Sequence, residues 1–250
     1  MISLKTNEWE LKDIDTVFFD KDGTFIDSHV YWGEIVQRRV KAAISEFQLP
    51  AEDFSDLCLS LGYDLKTKKL LEKGPVGICS RQEVISTFTE TLRKYRSCIT
   101  DQVIDDLFVR VHQAFQPEMN DYVRLLEGAE LLFKKLKDQH VKLAVITSDA
   151  RGTTEDTIKK FGLEKYFDLV VTKEDTPEAK KTGRPALLAL RQLGSRPEHA
   201  IAIGDAPMDA EMAKNANLKA AVLVATGQIG QESLKKSSEF VVKTLKEIAL

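Results

Sequence analysis

The sequence predicts an α/β protein: a parallel sheet with helices on both faces, and an all-helical segment inserted after the first sheet strand. Three observations lead there. Thr16-Val17-Phe18-Phe19 is a short continuous apolar run ending in a charged turn, the pattern of a strand buried on both faces. From Gly128 onward, helical and strand-like segments alternate as right-handed crossovers onto a parallel sheet require. Between the two lie about ninety residues of helical periodicity with no strand-like run.

Taken in order, Gly23 breaks the chain after the first strand and so places Asp20 and Asp22 at its carboxyl end, where open α/β sheets bind ligands. In the inserted segment, Trp32 to Phe47 repeats apolar residues at helical spacing (Ile35, Val36, Val40, Ala43, Ile44, Phe47), and Pro50 follows its end. Arg81 to Tyr95 and Asp101 to Phe115 repeat the pattern, the latter with Thr100 at the N-cap position. Glu72 to Gly77 reads as a loop. Beyond it, Gly128 to Gln139 is helical, Leu143 to Ile146 a strand, and Thr153 to Phe161 a helix closed by Gly162. The strand Leu169 to Val171, the helix Ala186 to Leu193 stopped by Gly194, the strand Ile201 to Ile203, the helix Met208 to Asn215 and the strand Ala221 to Val224 complete the alternation.

Composition narrows the function. At 250 residues the chain can bury a substantial core, as one large domain or two smaller ones. With 30% charged residues and a net charge of −3 there is no basic excess to draw nucleic acid. No apolar run approaches the ~20 residues that span a bilayer, so a membrane is not an expected partner. Met1 to Leu11 lacks the apolar core of a signal peptide, and the expected location is cytoplasmic. Cys58, Cys79 and Cys98, without paired C-x-x-C spacing, read as reduced structural thiols rather than a zinc site.

The chemistry gathers at strand ends. Residues two apart on an extended backbone point the same way, so Asp20 and Asp22 can converge. Two close carboxylates repel unless a cation or a proton lies between them, and a hard ion such as Mg²⁺ would resolve the conflict. An ordinary Asp-Gly turn is the competing reading. Ile146 leads into Thr147-Ser148-Asp149, Ile203 into Gly204-Asp205 with Asp209 four residues on, and Val171 into a polar stretch ending at Lys180-Lys181. Singly, these are a helix start, a helix N-terminus with Pro207 at its first position, and a solvated lysine pair. Together, on the edge that holds Asp20 and Asp22, they form a phosphoryl-handling set of carboxylates, a hydroxyl and an ammonium.

These residues carry a family resemblance over nearly the whole chain. Asp20-Lys21-Asp22-Gly23-Thr24 followed by Asp27-Ser28, then Leu143-Ala144-Val145-Ile146-Thr147-Ser148, and then Ile203-Gly204-Asp205-Ala206-Pro207-Met208-Asp209 resemble three motifs of the haloacid dehalogenase superfamily. The likeness is to its phosphoglycolate phosphatase-like branch, with a helical cap after the first motif. The third motif, ordinarily Lys-Pro, departs from the pattern as Lys180-Lys181-Thr182-Gly183-Arg184-Pro185. Counting back from Leu193-Gly194 puts the family lysine at Lys180, whereas reading Gly183-Arg184-Pro185 as a variant Gly-Lys-Pro puts the cation at Arg184. The resemblance implies a Rossmann-like catalytic core of residues 1–28 and 123–250 and a helical cap of residues 29–122. It also implies a Mg²⁺-dependent hydrolase of a small phosphorylated metabolite. In that reading Asp20 is the nucleophile and Asp22 the acid–base group. Thr147, Ser148 and Lys180 hold the phosphoryl group. Asp20, the Asp22 carbonyl, Asp205 and Asp209 hold the metal. Cap residues such as Tyr31, Trp32, Arg38, Arg81 or His112 set specificity. A phosphoglucomutase-like phosphotransferase and a non-catalytic binding or scaffold protein are the alternatives, and the oligomeric state is not written in the sequence.

Overall fold

In a computed structural model, which describes residues 1–250, the chain opens with an antiparallel hairpin of β1 (Ile2–Lys5) and β2 (Glu10–Ile14), then enters its main sheet through β3 (Thr16–Phe19). Two units follow from the contacts: Met1–Asp27 with Leu125–Leu250, and Ser28–Arg124.

The inserted unit is built on α1 (Ser28–Phe47), α2 (Phe54–Ser60), α3 (Arg81–Arg93) and α4 (Asp101–Phe115). The apolar stripes of these helices meet in one cluster that includes Val36, Val40, Phe88 and Phe108, with the two phenylalanine rings stacked at 5.9 Å. Ser80 and Glu83 cap α3 reciprocally, and Thr100 accepts the Val103 N–H at 3.4 Å. One small hairpin, β4 (Tyr63–Asp64) with β5 (Lys69–Leu70), accompanies the helices. Each of its strands is only two residues long, too short to show a period in the sequence.

In the other unit the elements run α5 (Ala129–Asp138), β6 (Lys142–Ile146), α6 (Arg151–Lys160), β7 (Leu169–Val171), α7 (Arg184–Leu193), β8 (Ala200–Gly204), α8 (Pro207–Asn215), β9 (Ala220–Val224), α9 (Gln231–Leu234) and β10 (Phe240–Val242). The six sheet strands are parallel in the order β10-β9-β8-β3-β6-β7. β3 therefore lies between β6 and β8, where the chain, having built outward on one side, returns to build on the other. This reversal opens a crevice at the strands' carboxyl ends. Alternate β3 side chains bury against opposite layers, as the strand period requires. Phe18 packs with Ala186 and Leu190 of α7 and Met212 of α8. Phe19 meets Phe133 of α5 edge-on at 4.9 Å. No helix is long and apolar enough to cross a membrane.

The terminal elements escaped the sequence patterns. β2 keeps only Leu11 and Ile14 buried, three positions apart, because Asp13 adopts φ 57° and breaks the alternation. β10 is three residues long. The cysteines are free: Cys58 is buried, its thiol pushed up to about 12 by that burial, while Cys79 and Cys98 are exposed rather than packed.

Candidate active site

The register of the sheet sets the site. Phe19 lies opposite Val145 on one side and Ile203 on the other, and the Asp20 N–H donates to the Ile203 carbonyl at 2.9 Å. The backbone of Asp20 thus extends the strand by one residue, and its carboxylate emerges at the crevice. The chain then folds tightly: the Phe25 and Ile26 N–H groups donate to the Lys21 carbonyl at 3.1 and 3.0 Å. Gly23 sits at φ +81°, and a Cβ there would overlap the Asp205 carboxylate, so conformation and space both select glycine.

Four of the expected residues meet here. The Lys180 ammonium, 4% exposed, lies between Asp20 Oδ1, to which it hydrogen-bonds, and Asp209 Oδ1 at 2.6 Å. The second Asp209 oxygen accepts the Ala206 N–H at 3.1 Å, which ties the carboxylate to the first turn of α8. The Thr24 hydroxyl donates weakly to the second Asp20 oxygen at 3.4 Å. Asp205 stands beside them without a protein hydrogen-bond donor, pressed against the Gly23 and Gly227 backbones.

Three carboxylates thus share one ammonium, and the electrostatics show the imbalance. Burial raises the Asp20 carboxyl to about 6, with Asp209 adding to the rise against the pull of Lys180. Burial also lifts Asp205 well above its ordinary range, helped by Asp20 and Asp209. Lys180 loses some basicity to burial, but Asp20 and Asp209 outweigh that and keep it charged. Burial comes first for both carboxyls, and the crowding of like charges around one ammonium adds to it.

That crowding fits a divalent cation. No three acidic, histidine or cysteine side chains converge into a closed cage. Mg²⁺ does not require one, since it is characteristically bound by one or two carboxylates together with water and phosphate oxygens. Asp205, with no donor of its own, and Asp20 are the side chains suited to that role.

The other expected residues are placed differently. Asp22 faces Lys21, whose ammonium reaches both of its oxygens at 2.7 and 2.6 Å and also lies 3.2 Å from Asp149 Oδ2. Lys21 is buried, and both carboxylates outweigh burial and raise its basicity. Thr147 is buried at the end of β6, its N–H donating to the Val171 carbonyl and its hydroxyl accepting the Asp149 N–H at 3.1 Å. Ser148 is exposed. Of the two candidates for the family cation, Lys180 occupies the carboxylate cluster, whereas Arg184 is 65% exposed and 3.9 Å from Glu178.

Sequence reasoning passed over Lys21, Thr24 and Gly227. Lys21 stands inside the first motif, and its position between two aspartates was the available signal. Gly227 had none, because only the folded chain brings the loop after β9 against Asp205.

Comparisons with known proteins supply the family and the fold. A model of haloacid dehalogenase-like hydrolases matches residues 14–217. Pyrophosphatase PpaX of Bacillus pumilus (strain SAFR-032) is 28% identical over 237 residues, covering 94% of this chain and 94% of its own. Among solved structures, a predicted phosphoglycolate phosphatase from Haemophilus somnus 129pt superposes with a TM-score of 0.71 at 17% identity, over 94% of this chain and 96% of that one. A HAD-superfamily hydrolase of subfamily IA, variant 1, from Geobacter sulfurreducens PCA gives 0.64 at 19% identity, covering 94% of each chain. At such identities the two structures speak for the fold alone.

Proposed function

Because the chain belongs to the haloacid dehalogenase-like hydrolases, we propose that it is a Mg²⁺-dependent phosphatase that cleaves a small phosphorylated metabolite through an aspartyl-phosphate on Asp20. The observation that carries this reading is the cluster of Asp20, Asp205 and Asp209 around the buried ammonium of Lys180. Such a site lacks positive charge, and a phosphoryl group delivered with a divalent cation completes it.

A carboxylate oxygen of Asp20 attacks phosphorus as the bond to the leaving oxygen breaks, and Asp22 supplies the proton that oxygen needs. Water then attacks the aspartyl-phosphate, Asp22 takes a proton from it, and Asp20 and inorganic phosphate are released. Splitting one displacement into two is the advantage of the covalent route. Lys180 neutralises charge on Asp20 and on the phosphoryl oxygens, and the Thr147 hydroxyl with Ser148 holds those oxygens in place. Lys21, which donates to both Asp22 oxygens, orients that carboxylate, and Asp22 must part from Lys21 to reach the leaving oxygen. Asp20, Asp205 and the Asp22 carbonyl would hold Mg²⁺, with Asp209, both oxygens engaged, acting behind them. When bound, the ion supplies electrostatic stabilisation of the transferring phosphoryl group.

The test is hydrolysis of p-nitrophenyl phosphate with and without Mg²⁺, followed by a panel of substrates. The panel includes pyrophosphate, which the Bacillus pumilus relative carries in its name, and phosphoglycolate, which the Haemophilus somnus structure carries in its own. Phosphate release should require Mg²⁺, and Asp20→Asn should remove nearly all of it while circular dichroism stays native. Wild-type turnover in a clean Asp20→Asn preparation would sink the mechanism. Consumption of an ester without phosphate release would point to transfer onto another acceptor.

A further inference from the structure

The turn of the first motif and the turn after β6 are joined by one buried cation. The Lys21 side chain is 5% exposed, and its ammonium donates to the two Asp22 oxygens at 2.7 and 2.6 Å and lies 3.2 Å from Asp149 Oδ2. The three donors of the ammonium thus face three carboxylate oxygens. Lys21, Asp22 and Asp149 all belong to the unit of Met1–Asp27 and Leu125–Leu250.

The two carboxylates are held differently. Asp149 is fixed at the start of α6: Oδ1 accepts the Ala150 N–H at 2.9 Å, Oδ2 accepts the Thr153 hydroxyl at 3.0 Å, and its own N–H donates to the Thr147 hydroxyl at 3.1 Å. The Asp22 carboxylate is held through Lys21, and 37% of that side chain is exposed. Asp22 therefore has room to turn, whereas the enclosed Lys21 does not have the room to follow it.

The acid–base step gives this asymmetry its meaning. When Asp22 leaves for the oxygen it protonates, the ammonium loses its two shortest contacts. An enclosed ammonium without a counter-ion is strongly unfavourable, so a Lys21 paired with Asp22 alone would hold that carboxylate back. Asp149 removes the penalty. Its carboxylate already lies against the ammonium and is anchored where it stands, so Lys21 passes from two partners to one rather than from one to none. A static tie between two turns needs one carboxylate; a second, fixed one is what a mobile partner requires.

We propose that Asp149 is a positioning residue for proton transfer, holding Lys21 in place while Asp22 turns to the leaving oxygen and back. Asp22 gives its proton to the leaving oxygen and regains one from the attacking water, so Lys21 and Asp149 exchange none. This role rests on the phosphatase reading above.

Two measurements on the full-length protein test it. The first needs no turnover: the Tm in EDTA of wild type, Asp22→Asn, Asp149→Asn and the double variant. Each single variant leaves Lys21 one carboxylate and the double leaves it none, so the double should lose about 2–4 °C or more beyond the sum of the single losses. Additive losses would overturn the shared pairing. The second compares kcat/KM for p-nitrophenyl phosphate and for phenyl phosphate, which has nearly the same shape but a leaving group in greater need of a proton. The ratio of the first to the second should rise about 10-fold in Asp149→Asn and be partly restored in Asp149→Glu. It should return toward wild type in Lys21→Met/Asp149→Asn, which has no ammonium to retain Asp22. A static tie predicts equal losses on both esters and no rescue by the second substitution. Asp149→Ser, which keeps a short acceptor at the start of α6, replaces Asp149→Asn should that variant fail to fold. A wild-type ratio in the neutral variant would overturn this role and leave the phosphatase reading standing, whereas a wild type inactive on both esters would overturn the two together.

Discussion

Lys180 and Lys181 share a peptide bond and little else. The first is enclosed between Asp20 and Asp209, while the second is exposed, its carbonyl taken up by the Asn215 side chain at 2.8 Å. Removing Lys180 strips the Asp20, Asp205 and Asp209 cluster of the cation inside it. Lys180→Ala should therefore cost about 10²–10³ in kcat/KM, a few kcal/mol of transition-state stabilisation. Lys181→Ala and Arg184→Ala change groups bathed in solvent and should leave rates near wild type. The outcome that would move the cation four residues along the chain is a mild Lys180→Ala beside an inactive Arg184→Ala. This residue scale is also where sequence was most informative. Asp20 and Asp205 directly follow β3 and β8, and strand ends are visible as the points where apolar runs stop. What could not be read was their pairing. That Lys21 would hold Asp22, and that Asp205 would have no donor, depends on which rotamers fit once the sheet has closed.

At the scale of elements, the site is shaped as much by loops as by strands. The chain leaving β9 brings Thr226 and Gly227 across to the first motif, where the Thr226 hydroxyl donates to the Gly23 carbonyl at 2.6 Å. A side chain at 227 would occupy the volume of the Asp205 carboxylate. Gly227→Ala should therefore push Asp205 out of place and lower kcat by about 10–100-fold, with a raised Mg²⁺ requirement and only modest loss of thermal stability. An unchanged Mg²⁺ titration would show that Asp205 has room to spare. The sequence marked β9 as a strand but gave no hint of this crossing, because the Thr226–Gly23 contact spans some two hundred positions and nothing local to either residue marks it. The elements predicted well, β3, β6 and β8 among them, are those whose burial is nearly continuous. Those missed, β1, β2 and β10, are short or irregular.

For the molecule as a whole, the crowded carboxylates make stability depend on pH in an unusual direction. In the folded protein Asp20 titrates at about 6, against an ordinary 3.8. Between those values the folded state keeps a proton that the unfolded chain has released, so this contribution is full at low pH and is lost as the pH rises toward 6. Asn at this position mimics the protonated form. In EDTA, the Tm of Asp20→Asn minus that of wild type should therefore grow as the pH rises from about 4 to about 6, then level off. A difference that shrinks over that range would contradict the charge deficit. The strand order has a separate consequence, which concerns the ribosome. β3 is among the first segments made, yet its partners β6 and β8 begin at Lys142 and Ala200. Translation proceeds at ~5–20 residues per second, so the Val17-Phe18-Phe19 segment waits several seconds or longer for its first neighbour. A sticky, unpaired strand is thus exposed throughout synthesis of the helical insertion, and a nascent chain stalled there is the form of this protein most in need of a chaperone.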